Sequence, residues 1–135
     1  MEMQADTRKK ITVTDPATFN ETWAAAFNST DVENMLDLYE DDAVLAVGTD
    51  VVRGKAAISA VLSGLLQAPG KIVGKNNFCL VQGDLALLRA DWKLSAADGT
   101  EMMRGATAEI IRRRADGTWL YVIDHASGAS LPSVV

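Results

Sequence analysis

Residues 71–96 read KIVGKNNFCLVQGDLALLRADWKLSA. The stretch alternates with period two and breaks once, at Gly83-Asp84. This pattern predicts two long antiparallel strands, about 71–82 and 85–96, joined by a tight hairpin. The same texture continues downstream. Further strands are expected at about 101–114 and 118–127, punctuated by Asp98-Gly99 and Asp116-Gly117.

Upstream of Pro69 the period is helical. Asp15-Pro16 supplies an N-cap acceptor followed by Pro at the first helical position. Phe19, Trp23 and Phe27 then recur every four residues, predicting a helix to about Asn28. Thr30-Asp31-Val32-Glu33 fits a capping box, with Val32, Met35, Leu36 and Tyr39 as the buried face of a second helix. Ala43–Val47 is a short apolar run and reads as a strand, with Val51–Gly54 as its hairpin partner. Lys55–Gln67 reads as a third helix, stopped by Ala68-Pro69-Gly70. Helices first, then a meander of long strands, specify an α+β layer fold with three helices on one face of a curved, mostly antiparallel sheet. Residues 1–14 are expected to form a mobile or extended arm, 15–128 a single domain, and 129–135 a loose tail.

Composition narrows the function. The 135 residues are 48% hydrophobic and 23% charged, the balance of one globular domain. Thirteen Lys and Arg against eighteen Asp and Glu leave a net charge of −5. That argues against binding nucleic acid or an anionic membrane face, both of which select basic surfaces. The single Cys79 excludes an internal disulfide, and the single His125 excludes a multi-histidine metal site. The polar start of the chain is no signal peptide, and no run reaches the roughly 18 apolar residues of a membrane span. A cytoplasmic location is expected. With no glycine-rich phosphate loop, no cofactor is expected either.

Both faces of the last strands carry apolar groups. In 85–94, Leu85 and Leu87 share a face with Arg89 and Asp91, while Ala86, Leu88, Ala90 and Trp92 share the other. A sheet with helices on one side only should alternate with polar residues outside. The expectation is therefore that a second subunit covers the second face.

Three segments carry a resemblance. They are Trp23–Glu33 (WAAAFNSTDVE), Leu36–Val44 (LDLYEDDAV) and Arg53–Ile58 (RGKAAI). Together they resemble the nuclear transport factor 2-like superfamily, which includes SnoaL-like polyketide cyclases and ketosteroid isomerase. The closing Asp116–Gly128 (DGTWLYVIDHASG) resembles small uncharacterised members and the association domain of calcium/calmodulin-dependent protein kinase II. The resemblance implies a cone-shaped, cystatin-like fold. It also implies a pocket between the helices and the concave sheet face, and homodimers through the convex face. It turns Arg89, Glu109 and Asp124 into the pocket and puts Trp92, Trp119, Tyr121 and His125 on the dimer side. Glu109 matches the position at which ketosteroid isomerase keeps a protonated acid. That enzyme's general base falls at Val47 and its tyrosine at Trp23, so its chemistry does not transfer whole. The scaffold alone does not specify an activity.

On that fold, Arg89 between Glu109 and Asp124, with Asp91 nearby, reads in two ways. It is either an anchor for a polar ligand group or an ion-pair network that satisfies itself. Trp23, Phe27, Tyr39 and Phe78 read as cavity lining or as plain core. Asp124 and His125 are strand neighbours pointing to opposite faces, which disfavours a catalytic dyad. Asp41-Asp42 and Arg112-Arg113-Arg114 read as solvated surface, and no metal site is expected. The expected function is binding of a small, partly apolar molecule. The alternatives are a cofactor-free isomerase, dehydratase or cyclase using Glu109 or Asp124 as its catalytic acid or base, and an oligomerisation module without ligand. The ligand reading expects the strands to curl around a partly unfilled hollow.

Overall fold

The computed structural model describes residues 8–68 and 70–135. Asp15 accepts the Ala17 N–H and opens a single 3-10 turn, Pro16–Thr18, that leads into α1 (Phe19–Asn28). α2 (Val32–Leu36) is capped by Asp31, whose side chain accepts the Glu33 N–H. The chain then enters β1 (Tyr39–Val47), β2 (Asp50–Arg53) and α3 (Lys55–Leu65). The meander follows as β3 (Lys71–Gln82), β4 (Leu85–Ser95), β5 (Glu101–Ala106), β6 (Ala108–Arg113) and β7 (Trp119–His125).

The strands form one sheet in the order β2-β1-β7-β6-β4-β3, and β5 pairs the far half of β4. Only β1 and β7 run parallel; the other pairs are antiparallel. The result is an α+β fold with three helices against a curved sheet, as the sequence implies.

Several local expectations need correction. Tyr39 does not close the second helix; it begins β1, which starts four residues before the expected strand. The expected strand 101–114 is two, because the chain breaks at buried Thr107. There the Thr107 hydroxyl, rather than a backbone carbonyl, takes the Ala90 N–H at 2.8 Å.

Of the expected arm, residues 1–7 lie outside the described residues. Residues 8–14 are extended, yet they are tied down. Arg8 grips Asp37 through both guanidinium nitrogens, at 2.6 and 3.1 Å. The Ile11 N–H donates to Asp37 at 2.9 Å, Val13 is buried, and the Trp119 N–H donates to the Val13 carbonyl. Burial alone would raise the Asp37 carboxyl, but Arg8 and the Ile11 amide hold it below the usual carboxylate range. In the tail, Ala129 donates to the Ala106 carbonyl, and Leu131–Val135 stand exposed.

The core lies between the helices and the inner face of the sheet. Phe19, Met35, Leu38, Tyr39, Ile58, Leu62, Leu88, Ile111 and Tyr121 are fully enclosed there. Phe19 meets Tyr121 edge-on at 4.5 Å between ring centroids, and Tyr39 lies tilted on Tyr121 at 4.9 Å. Side chains thus pack the inner side where the sequence reading expects a partly unfilled hollow.

Two bulges set which residues face that core. In β7, Tyr121 pairs Ile111 while Ile123 pairs Ile110, so Val122 is an extra residue. A bulge reverses the alternation beyond it. Trp119 and Tyr121 therefore point inward before it, and Asp124 points inward after it; all three are buried. This corrects the assignment of Trp119 and Tyr121 to the convex face. In β3, Asn76 pairs Ala90 while Phe78 pairs Arg89, making Asn77 the extra residue. Phe78 consequently emerges on the outer face.

Candidate functional site

Four elements converge on two carboxyl groups. Glu109 on β6 and Asp124 on β7 are direct cross-strand partners, and both are buried. Tyr39, at the start of β1, donates its hydroxyl to Asp124 Oδ2 at 2.6 Å. Trp23 on α1 donates its indole N–H to the Tyr39 oxygen at 3.0 Å and stacks on Phe27. Thr107 donates to Glu109 Oε1. Tyr121 donates to Asn20 Oδ1 at 2.6 Å, and Asn20 Nδ2 donates to Asn76 Oδ1 at 2.6 Å. Asn76 in turn donates to the Ala17 carbonyl at 2.8 Å, so the chain of hydrogen bonds ends where α1 begins.

Among the described residues, no Lys or Arg forms an ion pair with Glu109 or Asp124. Two acids in an apolar interior without a cation hold on to protons. Burial, reinforced by the neighbouring Asp124 charge, pushes Glu109 up to about 8 against the hydrogen bond from Thr107. Burial also pushes Asp124 up to about 6, opposed by the Tyr39 hydrogen bond. Burial and the Asp124 charge raise both Tyr39 and Tyr121 well above the ordinary phenol range. Both carboxyls are thus raised, and the pair as a unit holds a proton into the neutral range.

The sequence-predicted residues divide into two groups. Trp23, Phe27, Tyr39, Glu109 and Asp124 come together. Arg89, Asp91 and Phe78 do not. The inward residues of β4 are Ala86, Leu88 and Ala90, with Trp92 half-buried behind them. Arg89 and Asp91 lie on the opposite face and pair with each other at 3.2 Å. The expected placements of Arg89 and Trp92 are thus exchanged. Alternation itself favours the observed face, since Ala86, Leu88, Ala90 and Trp92 are wholly apolar while the other face carries Arg89, Asp91 and Lys93; the inward placement of Arg89 came from the family resemblance. Trp92 is held by its indole N–H on the Ala126 carbonyl at 2.9 Å. Of the residues expected on the dimer side, only His125 stays on the outer side, where it pairs in register with Ala108 and Ala46.

Three members escaped sequence reasoning. Asn20 sits one position off the aromatic stripe of α1, and nothing local marks it. Tyr121 was hidden by the bulge. Thr107 was read as mid-strand, although a hydroxyl beside an inward acid was a usable signal.

The other candidates are surface features. Arg112 and Arg114 share Glu40, at 2.9 and 3.7 Å, and Arg113 pairs Asp84 at 2.8 Å. Among the described residues no group of three or more His, Cys, Asp or Glu could hold a metal ion. Among the described residues no helix is long and apolar enough to cross a membrane. One open depression is lined by Asp84, Arg113, Arg114, Ala115 and Gly117. Another, of about 240 Å³, lies among Leu80, Gln82, Leu85, Ala86, Leu87 and Ile110. Neither includes the carboxyl pair.

Comparison with known proteins agrees with the architecture. A putative calcium/calmodulin-dependent protein kinase II association domain from Xanthomonas campestris is 24% identical, with 98% of this chain and 100% of that chain covered and a TM-score of 0.68. An NTF2-like protein of unknown function from Pseudomonas putida is 25% identical, with 79% of each chain covered and a TM-score of 0.64. A ketosteroid isomerase-like protein from Erwinia carotovora is 22% identical, with 82% and 90% covered and a TM-score of 0.63. No curated protein matches. These likenesses establish the nuclear transport factor 2-like fold and carry no activity with them. The SnoaL-like domain model matches residues 20–122, from α1 into β7, and the chain belongs to that family.

Proposed function

We propose that the protein binds a small, partly apolar molecule bearing a carbonyl or hydroxyl oxygen, held at the Glu109–Asp124–Tyr39 centre. The observation that carries this reading is the uncompensated acid pair in an otherwise apolar interior. A core selected for stability alone gains more from aliphatic side chains there. A protonated Glu109 donates to a ligand oxygen, and ionised Asp124, held by Tyr39, accepts from a ligand hydroxyl. Trp23, packed partly buried against the core, is the outermost member of the Trp23–Tyr39–Asp124 chain, so a ligand reaches the centre by displacing its indole.

A thermal-shift screen of neutral carbonyl and phenolic compounds tests this. A compound that raises Tm in the native protein should lose its effect in Glu109→Leu, which removes the donor and keeps an apolar filling. No shift from any compound, or a shift that persists in Glu109→Leu, contradicts the reading.

The proton held by the paired acids favours a second reading. One protonated and one ionised carboxyl can pass a proton through a bound substrate, as a cofactor-free isomerase, dehydratase or cyclase requires. Turnover lost in both Glu109→Gln and Asp124→Asn would support it. If those variants change stability alone, the network is structural.

We also propose that the protein is a homodimer through the outer sheet face. That face exposes Leu80 on β3, Leu87 on β4 and Ile123 on β7 in one row that runs through partly buried Ile110 on β6, with Leu85 in the next row. Contiguous apolar surface of this kind is a mark of a binding face. Mass in solution tests it, and a single-chain mass at micromolar concentration contradicts it.

A further inference from the structure

Asn20 and Asn76 form a run of hydrogen bonds whose direction is forced from its far end. Asn76 Nδ2 donates to the carbonyls of Pro16 and Ala17, at 3.3 and 2.8 Å, and a carbonyl can only accept. With its amide hydrogens spent there, Asn76 turns Oδ1 to Asn20 and accepts from Asn20 Nδ2 at 2.6 Å. Asn20 Oδ1 is then the atom turned to Tyr121, so the Tyr121 hydroxyl donates to it, at 2.6 Å. Asn76 is pinned in turn by Glu21 on α1, which accepts its backbone N–H at 2.5 Å.

The other two hydroxyls of the site point their protons the opposite way. The Thr107 oxygen receives the Ala90 N–H and the Tyr39 oxygen receives the Trp23 indole N–H, two groups that can only donate. Their own protons go to Glu109 Oε1 and Asp124 Oδ2. Tyr121 has one proton, and Asn20 takes it. Burial and the charges of Asp124 and Glu109 keep that proton on the phenol. Toward the acids the Tyr121 oxygen therefore offers lone pairs only. A neighbouring acceptor favours the protonated form of a carboxyl, whereas a neighbouring donor favours the ionised form.

We propose that Asn20 and Asn76 are positioning residues that turn the Tyr121 proton away from Glu109 and Asp124, which leaves the acid pair as the proton donor of the site. The titratable groups that face the acids are Tyr39 from β1 and Tyr121 from β7. Trp23 and Asn20 come from α1, Asn76 from β3, and the inward residues of β4 are apolar. The inference rests on the acid-pair reading above and adds the residues that keep its proton in place.

Carboxyl ¹³C shifts followed through pH test it in the full chain, with Asn20→Leu and Tyr121→Phe. Circular dichroism confirms that the variants fold. In Asn20→Leu the Tyr121 hydroxyl loses its acceptor and turns to the acids. The upper step of the pair, near 8 in the native protein, should then fall by about one pH unit or more. A packing role alone predicts no fall, since an apolar side chain beside a buried acid raises it. Adding Tyr121→Phe to Asn20→Leu should abolish the fall. Tyr121→Phe alone should not raise the upper step, because the native hydroxyl gives the acids no proton. That variant decides the question if Asn20→Leu does not fold. If the native pair titrates at ordinary carboxyl values, the acid-pair reading and this inference fail together. If the native steps are raised but Asn20→Leu leaves the upper one in place or lifts it, or Tyr121→Phe lifts it, the inference alone is overturned.

Discussion

Glu109 titrates ordinarily at 4.5 and Asp124 at 3.8, and folding raises both. The folded protein therefore binds more protons than the unfolded chain in the interval between ordinary and raised values. Stability from these acids is full below the ordinary values and is lost as pH rises through about 6 and then about 8. Thermal melts should show Tm falling between pH 5 and pH 9, a range that brackets both raised values. Glu109→Gln should abolish the upper part of the fall while leaving stability at pH 5 nearly unchanged. An unchanged slope in that variant would assign the pH dependence elsewhere. Tyr39→Phe tests the other half of the pair. It removes the hydroxyl that Asp124 accepts from and leaves the Trp23 indole without its acceptor. Loss of about 1–3 kcal/mol is expected in denaturant melts at pH 8, where Asp124 is ionised.

At the scale of elements, the bulges decide the site. The long strands, the turns and the three helices are legible from periodicity and punctuation. So is the inward placement of Glu109 and Asp124, through the family resemblance. The faces of β4 and the first half of β7 came out reversed. In β4 the resemblance overrode an alternation that favours the wholly apolar Ala86, Leu88, Ala90 face, and in β7 an extra residue such as Val122 leaves no mark in a Tyr-Val-Ile-Asp run. Deleting Val122 would force either Trp119 and Tyr121 or Asp124 onto the wrong face. The deletion is expected to lose cooperative unfolding by circular dichroism, whereas Val122→Ala, which keeps the extra residue, should fold. Gly105 on β5 tests a different contact. A Cβ there would stand 2.7 Å from the Trp92 ring, and Trp92 is pinned by Ala126. Gly105→Ala should cost about 1–3 kcal/mol, the range for forcing extra atoms into a packed site.

At the scale of the molecule, the two sides of one sheet divide the work. The inner side holds an acid pair among aromatic rings, and the outer side offers an apolar row, Leu80, Leu87 and Ile123, bordered by Arg89, Asp91, Lys75 and Lys93. Arg89 changed sides between sequence and structure, which takes it away from the acid pair it was expected to join. What remains inside is acid without a cation, and the functional account depends on how many protons it keeps. Carboxyl ¹³C chemical shifts followed through pH, with Glu109→Gln and Asp124→Asn for assignment, measure that directly. The account predicts that the pair still holds a proton at pH 7 and titrates in two raised steps, near 6 and near 8. If both signals instead complete their titration at the ordinary 4.5 and 3.8, the interior holds no proton to offer and the proposed site is contradicted.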